Sequence, residues 1–273
     1  RIRSENRADL EKAMERLASG KRINSAADDA AGMAVAAKMR ADIGSLNQSV
    51  RNTNDAISLV NTYDGAAQEI ESILIRMREL AVQTRNGTYE AADRTNANYE
   101  YTALKNEITR IAGVSAFNRM TVGQGATTAN GNTTSADTSF TFYVGSDVAK
   151  TGNSISFSAK ALDLNLAVSS STLNSVVDAT SAGQAIATLD DAITELAANR
   201  AQAGALINRL EHTVSNLMNV SQRLQEAVSG IEDADYAAES ANLARGMVLA
   251  QAGTAMLAQA NQAPQYILSL LRG

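Results

Sequence analysis

LDDAITELAANRAQAGALINRLEHTVSNLMNVSQRLQEAVSGI, residues 189–231, is the stretch on which the fold turns. Leu189, Ile193, Leu196, Arg200, Ala203, Ile207, Leu210, Val214, Leu217, Ser221, Leu224, Val228 and Ile231 follow an unbroken 4-3 alternation. That spacing is a heptad seam, and Arg200 and Ser221 are its only polar members. At about 1.5 Å per residue the helix would run roughly 60 to 65 Å. So long a helix gains its stability from partner helices, which predicts a coiled-coil-like bundle.

A matching helix lies in the first half. Met39, Ile43, Leu46, Val50, Thr53, Ile57 and Val60 keep register, and the seam then steps to Tyr63, Ala67, Ile70, Leu74, Met77 and Ala81. Two successive spacings of three at Val60 turn the seam around the helix. A second apolar row containing Ile73 and Leu80 implies more than one partner helix. Tyr101, Leu104, Ile108 and Ile111 form the stripe of a third helix, and Asn86-Gly87 is the stop before it. If the two long helices pair within one chain, they make a long antiparallel hairpin with both termini at one end.

Between them, residues 121–180 change character. Thr, Ser, Asn and Gly dominate and charges are few. Phe140, Phe142 and Val144 alternate with Thr141 and Tyr143; Ile155 and Phe157 alternate with serines; Leu162, Leu164, Leu166 and Val168 alternate with Asp163, Asn165 and Ala167. Three short strands are predicted, with turns at Gly145 and Thr151-Gly152-Asn153. The fold class is mainly α with a small β module. The expected domains are terminal helices at 1–30 and 235–273, a helical bundle at 31–120 and 181–234, and a β-rich outer domain at 121–180.

Composition narrows the chemistry. The 273 residues include no Cys, no Trp, one His and one Pro, with a net charge of −5. Disulfides, thiolate metal sites and a Cys nucleophile are excluded, and a multi-His site is disfavoured. There is no dense basic cluster of the kind that neutralises phosphates, so nucleic acid is not an expected partner. No apolar run reaches the roughly 18 to 20 residues that a membrane span needs. His212 falls off the seam and reads as a surface residue. Ser25-Ala-Ala-Asp28-Asp29 lacks the alternating ligands of a calcium loop and reads as helix capping. No phosphate-binding loop, nucleophile elbow or metalloprotease motif occurs, and residues 121–180 hold no His or Glu. No enzyme activity and no cofactor are expected.

The C-terminal segment from Tyr236 is Ala-rich and carries Leu243, Met247, Ala250, Met256, Leu257, Ala260, Ile267, Leu268, Leu270 and Leu271. This apolar surface is broad for a monomer to leave open. The alternatives are a helix buried within the chain and a helix buried only on assembly; the short, polar N-terminal segment favours assembly.

Both ends resemble bacterial flagellins. Ala13-Met-Glu-Arg-Leu-Ala-Ser-Gly20, Arg22-Ile-Asn-Ser25, Asp28-Asp-Ala-Ala-Gly32, Asn52-Thr-Asn-Asp-Ala-Ile57, Arg78-Glu-Leu-Ala-Val-Gln83 and Glu107-Ile-Thr-Arg-Ile-Ala112 follow the family's order. So do Asn208-Arg-Leu210, Ile231-Glu-Asp-Ala-Asp-Tyr236, Gln251-Ala-Gly253, Ala260-Asn-Gln262 and Leu268-Ser-Leu-Leu271. The resemblance covers most of residues 10–118 and 185–273. It implies a self-assembling subunit of the flagellar filament, located outside the cell and exported unfolded by the flagellar type III apparatus. It also implies export-chaperone and cap proteins as partners. The family's first stretch before the helix around Leu10 is largely absent or unlike, and the chain starts without Met. A native N-terminus outside this sequence is therefore expected, and polymerisation is not expected without it.

The resemblance further implies that Arg76, Leu80 and Glu100 form a face read by a flagellin-sensing Toll-like receptor. Arg76 and Leu80 lie on one helix face; spacing alone leaves Leu80 equally placed to continue the Ile73 row into the bundle. Two other functions fit the same fold: an adhesin whose polar module contacts glycans or host surfaces, and a hook–filament junction protein.

Overall fold

The computed structural model describes the backbone of residues 2–123, 138–145, 152–162 and 175–271, and within these the side chains from 6 to 260. Five helices and two strand pairs are described: α1 Ile2–Ser19, α2 Ala30–Arg85, α3 Ala91–Val114, β1 Ala116–Phe117, β2 Met120–Thr121, β3 Thr138–Tyr143, β4 Ser154–Ala159, α4 Ala179–Glu232 and α5 Tyr236–Leu271. Residues 45–219 form one compact unit, and residues 1–44 with 220–273 form the other.

The core of the 45–219 unit is the predicted seam. Val60, Tyr63, Ala67, Ile70, Leu74, Met77 and Ala81 of α2 are buried in one cluster with Leu189, Leu196, Ala203 and Leu210 of α4. Ile193 and Ile207 pack half-buried against it. Leu217 is buried, and Val214 and Leu224 are half-buried. The polarity of the pair follows from its ion pairs. Asp64 meets Arg200, whereas Arg78, two heptads further along α2, meets Asp190, earlier in α4. Within this unit α2 and α4 are therefore antiparallel. Helix α3 adds Tyr101, Ile108 and Ala112 to the same cluster. The second row of α2 is needed there, and Leu80 lies in that core.

The β3–β4 hairpin rests on α2. Strands β3 and β4 are antiparallel with Phe140 opposite Phe157, and the β4 residues Ile155, Phe157 and Ala159 are buried. The Tyr63 ring meets Phe157 edge to face at 5.4 Å, and its hydroxyl donates to the Lys160 carbonyl at 3.1 Å. The turn at 152–153 is as predicted: Gly152 takes φ 106°, and Val144 donates to the Asn153 carbonyl. The proposed third strand lies mostly outside the described residues; its first member, Leu162, is buried in a turn. A second hairpin was not anticipated. Strands β1 and β2 join through Asn118 and Arg119, both at positive φ (48° and 66°). That is a type I′ geometry in which Arg replaces the usual Gly.

Candidate assembly surface

The 1–44 and 220–273 unit is built around one buried carboxylate. Helix α1 ends at Gly20, whose φ of 71° closes the last turn through a bond to the Arg16 carbonyl. The chain beyond it runs against the end of α4: Arg22 donates to the Glu232 carbonyl at 2.6 Å, and Ala234 donates to the Gly20 carbonyl at 3.0 Å. The Glu232 side chain is about 4% exposed and is held by Arg40, with Lys21 at 3.7 Å. Paired so, the buried carboxylate has its charge compensated. Spacing rules do not reveal this cluster, because its members are far apart in sequence.

The capping reading of 25–29 divides between two residues. Asp29 caps α2, accepting from the Gly32 amide at 2.8 Å. Asp28 instead accepts from the Asn24 and Ser25 amides and meets Lys12 at 2.7 Å. The Lys12 contact and those amides hold the Asp28 carboxyl well below the usual carboxylate range.

Helix α5 starts at its cap Asp235, which accepts from the Ala237 and Ala238 amides. Helix α1 packs along it antiparallel. Tyr236 donates to the Leu17 carbonyl at 2.6 Å, Arg16 meets Glu239 at 2.8 Å, and Asn6 donates to the Gly246 carbonyl at 3.1 Å. Gly246 sets the closeness of this contact: a Cβ there would stand 2.9 Å from Leu10 Cγ. The better covered residues of α5 are Glu239, Leu243, Gly246, Ala250 and Gly253. They recur at helical spacing and mark the stripe beneath α1.

The other described side chains of this helix are open, including the apolar ones. Met247 is 52% exposed, Val248 64%, Leu249 55% and Met256 68%, and Leu257 is exposed too. At 3.6 residues per turn, Met247 lies to one side of the covered stripe, Leu249 and Met256 to the other, and Val248 behind. The apolar residues of α5 are therefore not confined to the stripe that α1 covers. Of the predicted tail residues, Leu243 is half-covered, Met247, Met256 and Leu257 are exposed, and the side chains of Ile267 and Leu270 lie outside those described. Among the described residues, no helix is long and apolar enough to cross a membrane.

The second predicted site is only partly assembled. Arg76 and Glu100 are half-exposed and paired at 2.8 Å, with Glu79 at 3.1 Å from Arg76. Glu100 first and Glu79 second raise the Arg76 pKa. Leu80 is corrected: at 2% exposure it belongs to the core, not to a surface. One helical turn beyond Arg76, it points along the Ile73 row between α2 and its neighbours. His212 is exposed, as expected.

A family model for the bacterial flagellin N-terminal helical region matches residues 1–128, and one for the C-terminal helical region matches residues 186–271. A flagellin of Halalkalibacterium halodurans is 43% identical over 262 residues, covering 96% of this chain and 92% of that one. The chain belongs to the bacterial flagellin family. The flagellar filament 33 kDa core protein of Treponema phagedenis is 42% identical over 267 residues, with the same coverage. A crystal structure of Bacillus cereus flagellin is 36% identical and covers 61% of this chain and 88% of its own, at a TM-score of 0.49. Within this flagellin, α1 falls in the N-terminal match, and α5 falls in the C-terminal one.

Proposed function

We infer that this chain is a structural subunit of the flagellar filament that assembles with copies of itself through α5. The observation that carries the reading is the exposure of Met247, Val248, Leu249 and Met256 on three sides of a helix whose fourth side is taken by α1. One partner helix would cover one more side; enclosure needs several neighbours, as a helical array of identical subunits supplies. The similarity to a flagellar filament core protein supports the same reading. Its place is then the flagellum, outside the cell. By the family resemblance, the terminal helices would belong to the inner core of the filament and the helical bundle to its next shell. Export in an unfolded state fits a chain without cysteines. Before assembly, an export chaperone and then a cap protein would shield the apolar face of α5.

Seeded polymerisation of full-length protein tests this. Val248→Asp should leave the subunit folded and stop filament growth in electron micrographs; normal filaments would refute the role of that face.

A host receptor reading remains for the Arg76–Glu100 pair alone and rests on the family resemblance. It predicts that Arg76→Ala weakens the response of receptor-bearing cells to monomer. An unchanged response removes the pair from the contact.

A further inference from the structure

We propose that Met247 and Met256 are oxidation sites of the unassembled subunit, and that their conversion to methionine sulfoxide by a peroxide blocks assembly. The proposal rests on the reading that α5 is enclosed on assembly. The chain has eight methionines, at 14, 33, 39, 77, 120, 218, 247 and 256. Met77 is fully buried in the helical core, whereas Met256 is the most exposed methionine of the described residues, and Met247 is also more than half open. Thioether oxidation follows access, so the subunit presents these two sulfurs, along with Met14, Met120 and Met218, and withholds Met77; of the accessible ones, Met247 and Met256 are those on α5. With no cysteine in the chain, thioethers are its sulfur sites for a peroxide.

The position of the two residues makes the modification consequential. They stand nine positions apart, two and a half helical turns, so they lie on opposite flanks of α5. Met256 borders a groove lined by Leu10, Leu249, Ala250 and Gly253, with Asn6, Arg7 and Thr254 at it too, and Met247 follows directly on Gly246 beside the stripe that α1 covers. The chemistry balances with one peroxide per site. The sulfur lone pair attacks one peroxide oxygen, the O–O bond breaks, the oxygen stays on sulfur, and the other leaves as water. The thioether is oxidised by two electrons and the peroxide reduced. A flexible apolar side chain becomes polar, with a strong acceptor oxygen. Enclosure against the apolar side chains of a neighbouring subunit would strip that oxygen of its water, so burial of either flank becomes less favourable. Once α5 is enclosed, the same sulfurs are shielded. Oxidation therefore discriminates between the free subunit and the filament.

The test treats full-length protein with hydrogen peroxide, as free subunit and as filament, and maps sulfoxide by mass spectrometry. In the free subunit Met247 and Met256 should oxidise well ahead of Met77, and the critical concentration for seeded growth should rise about tenfold or more. Methionine sulfoxide reductase should restore growth. The double variant Met247→Leu with Met256→Leu should grow normally after the same treatment, although Met14, Met120 and Met218 oxidise; Leu is a near-isosteric replacement. Unchanged growth of wild type carrying both sulfoxides overturns the proposal, as does equal loss of growth by the treated double variant. If filaments grown from unoxidised protein and then treated leave both sulfurs as reactive as in the free subunit, it is the enclosure of α5 that fails.

Discussion

Arg200 of α4 donates to Asp64 of α2 at 2.9 Å and, with its other arm, to Glu71, two helical turns further along the same face. Both carboxylates raise the guanidinium's pKa, Asp64 first. The one charged position in the α4 seam is thus met across the seam by its counter-ions, which fixes the register of the antiparallel pair. All three side chains are about one-third exposed, so the triad is worth less than a fully buried one.

Arg200→Ala should lower stability by about 1–3 kcal/mol, and less at high salt. Urea melts at low and high ionic strength check this. An unchanged midpoint would mean that the triad contributes nothing to the pairing.

Leu80 and Arg76 sit one turn apart on α2 and should behave oppositely. Leu80→Ala should cost the 2–5 kcal/mol typical of a core deletion, roughly. Arg76→Ala breaks only half-exposed pairs with Glu100 and Glu79 and should cost less than about 1 kcal/mol. Thermal melts of the two variants decide it; equal effects would contradict the burial difference.

The Tyr101 ring is fully buried, its hydroxyl has no hydrogen-bond partner, and burial pushes its pKa up to about 12. Removing the hydroxyl leaves nothing unsatisfied, so Tyr101→Phe should be neutral or stabilising by up to about 1 kcal/mol. The pH dependence follows by linkage. The unfolded phenol ionises near pH 10, roughly, while the folded one stays neutral, so stability drops as pH rises from about 10 to 12. The Phe variant should lose that part of the alkaline slope. A large destabilisation at neutral pH would mean that the hydroxyl is bonded after all.

Asp28 predicts an acid limb. Its folded pKa is depressed by Lys12 and by the Ser25 and Asn24 amides, so its contribution is present above the unfolded carboxylate value of about 3.9 and is lost as pH falls below it. Asp28→Asn should therefore narrow the difference in urea midpoint between neutral pH and about pH 2.5. An unchanged pH profile would show that Asp28 is not linked to folding.

The helical half of this architecture was legible because a heptad seam writes burial directly into spacing. Leu189, Leu196 and Leu210 are fully buried at the predicted positions, and the second α2 row at Ile73 and Leu80 correctly implied a third helix. The same row shows the limit of resemblance: it suggested an exposed Leu80, whereas spacing alone left the residue equally placed to enter the core, where it lies. Glu232 was not legible. Its partners Lys21 and Arg40 are some 200 residues away, and an acidic residue at a helix end reads as solvated until the chain reversal at Gly20 is known. The β1–β2 hairpin escaped because Asn118-Arg119 lacks the glycine that announces a type I′ turn. The exposed sides of α5 were half legible: composition revealed an apolar helix, but only the packing of α1 on Gly246 shows which sides stay open.

The central claim is that α5 is enclosed only between subunits. Deleting residues 237–273 from the full-length protein tests it most directly, with sedimentation and electron microscopy after seeding and circular dichroism of the subunit. The account predicts that the truncated chain keeps the cooperative melt of the 45–219 unit, stays monomeric and forms no filaments. Filaments assembled from the truncated chain would contradict it.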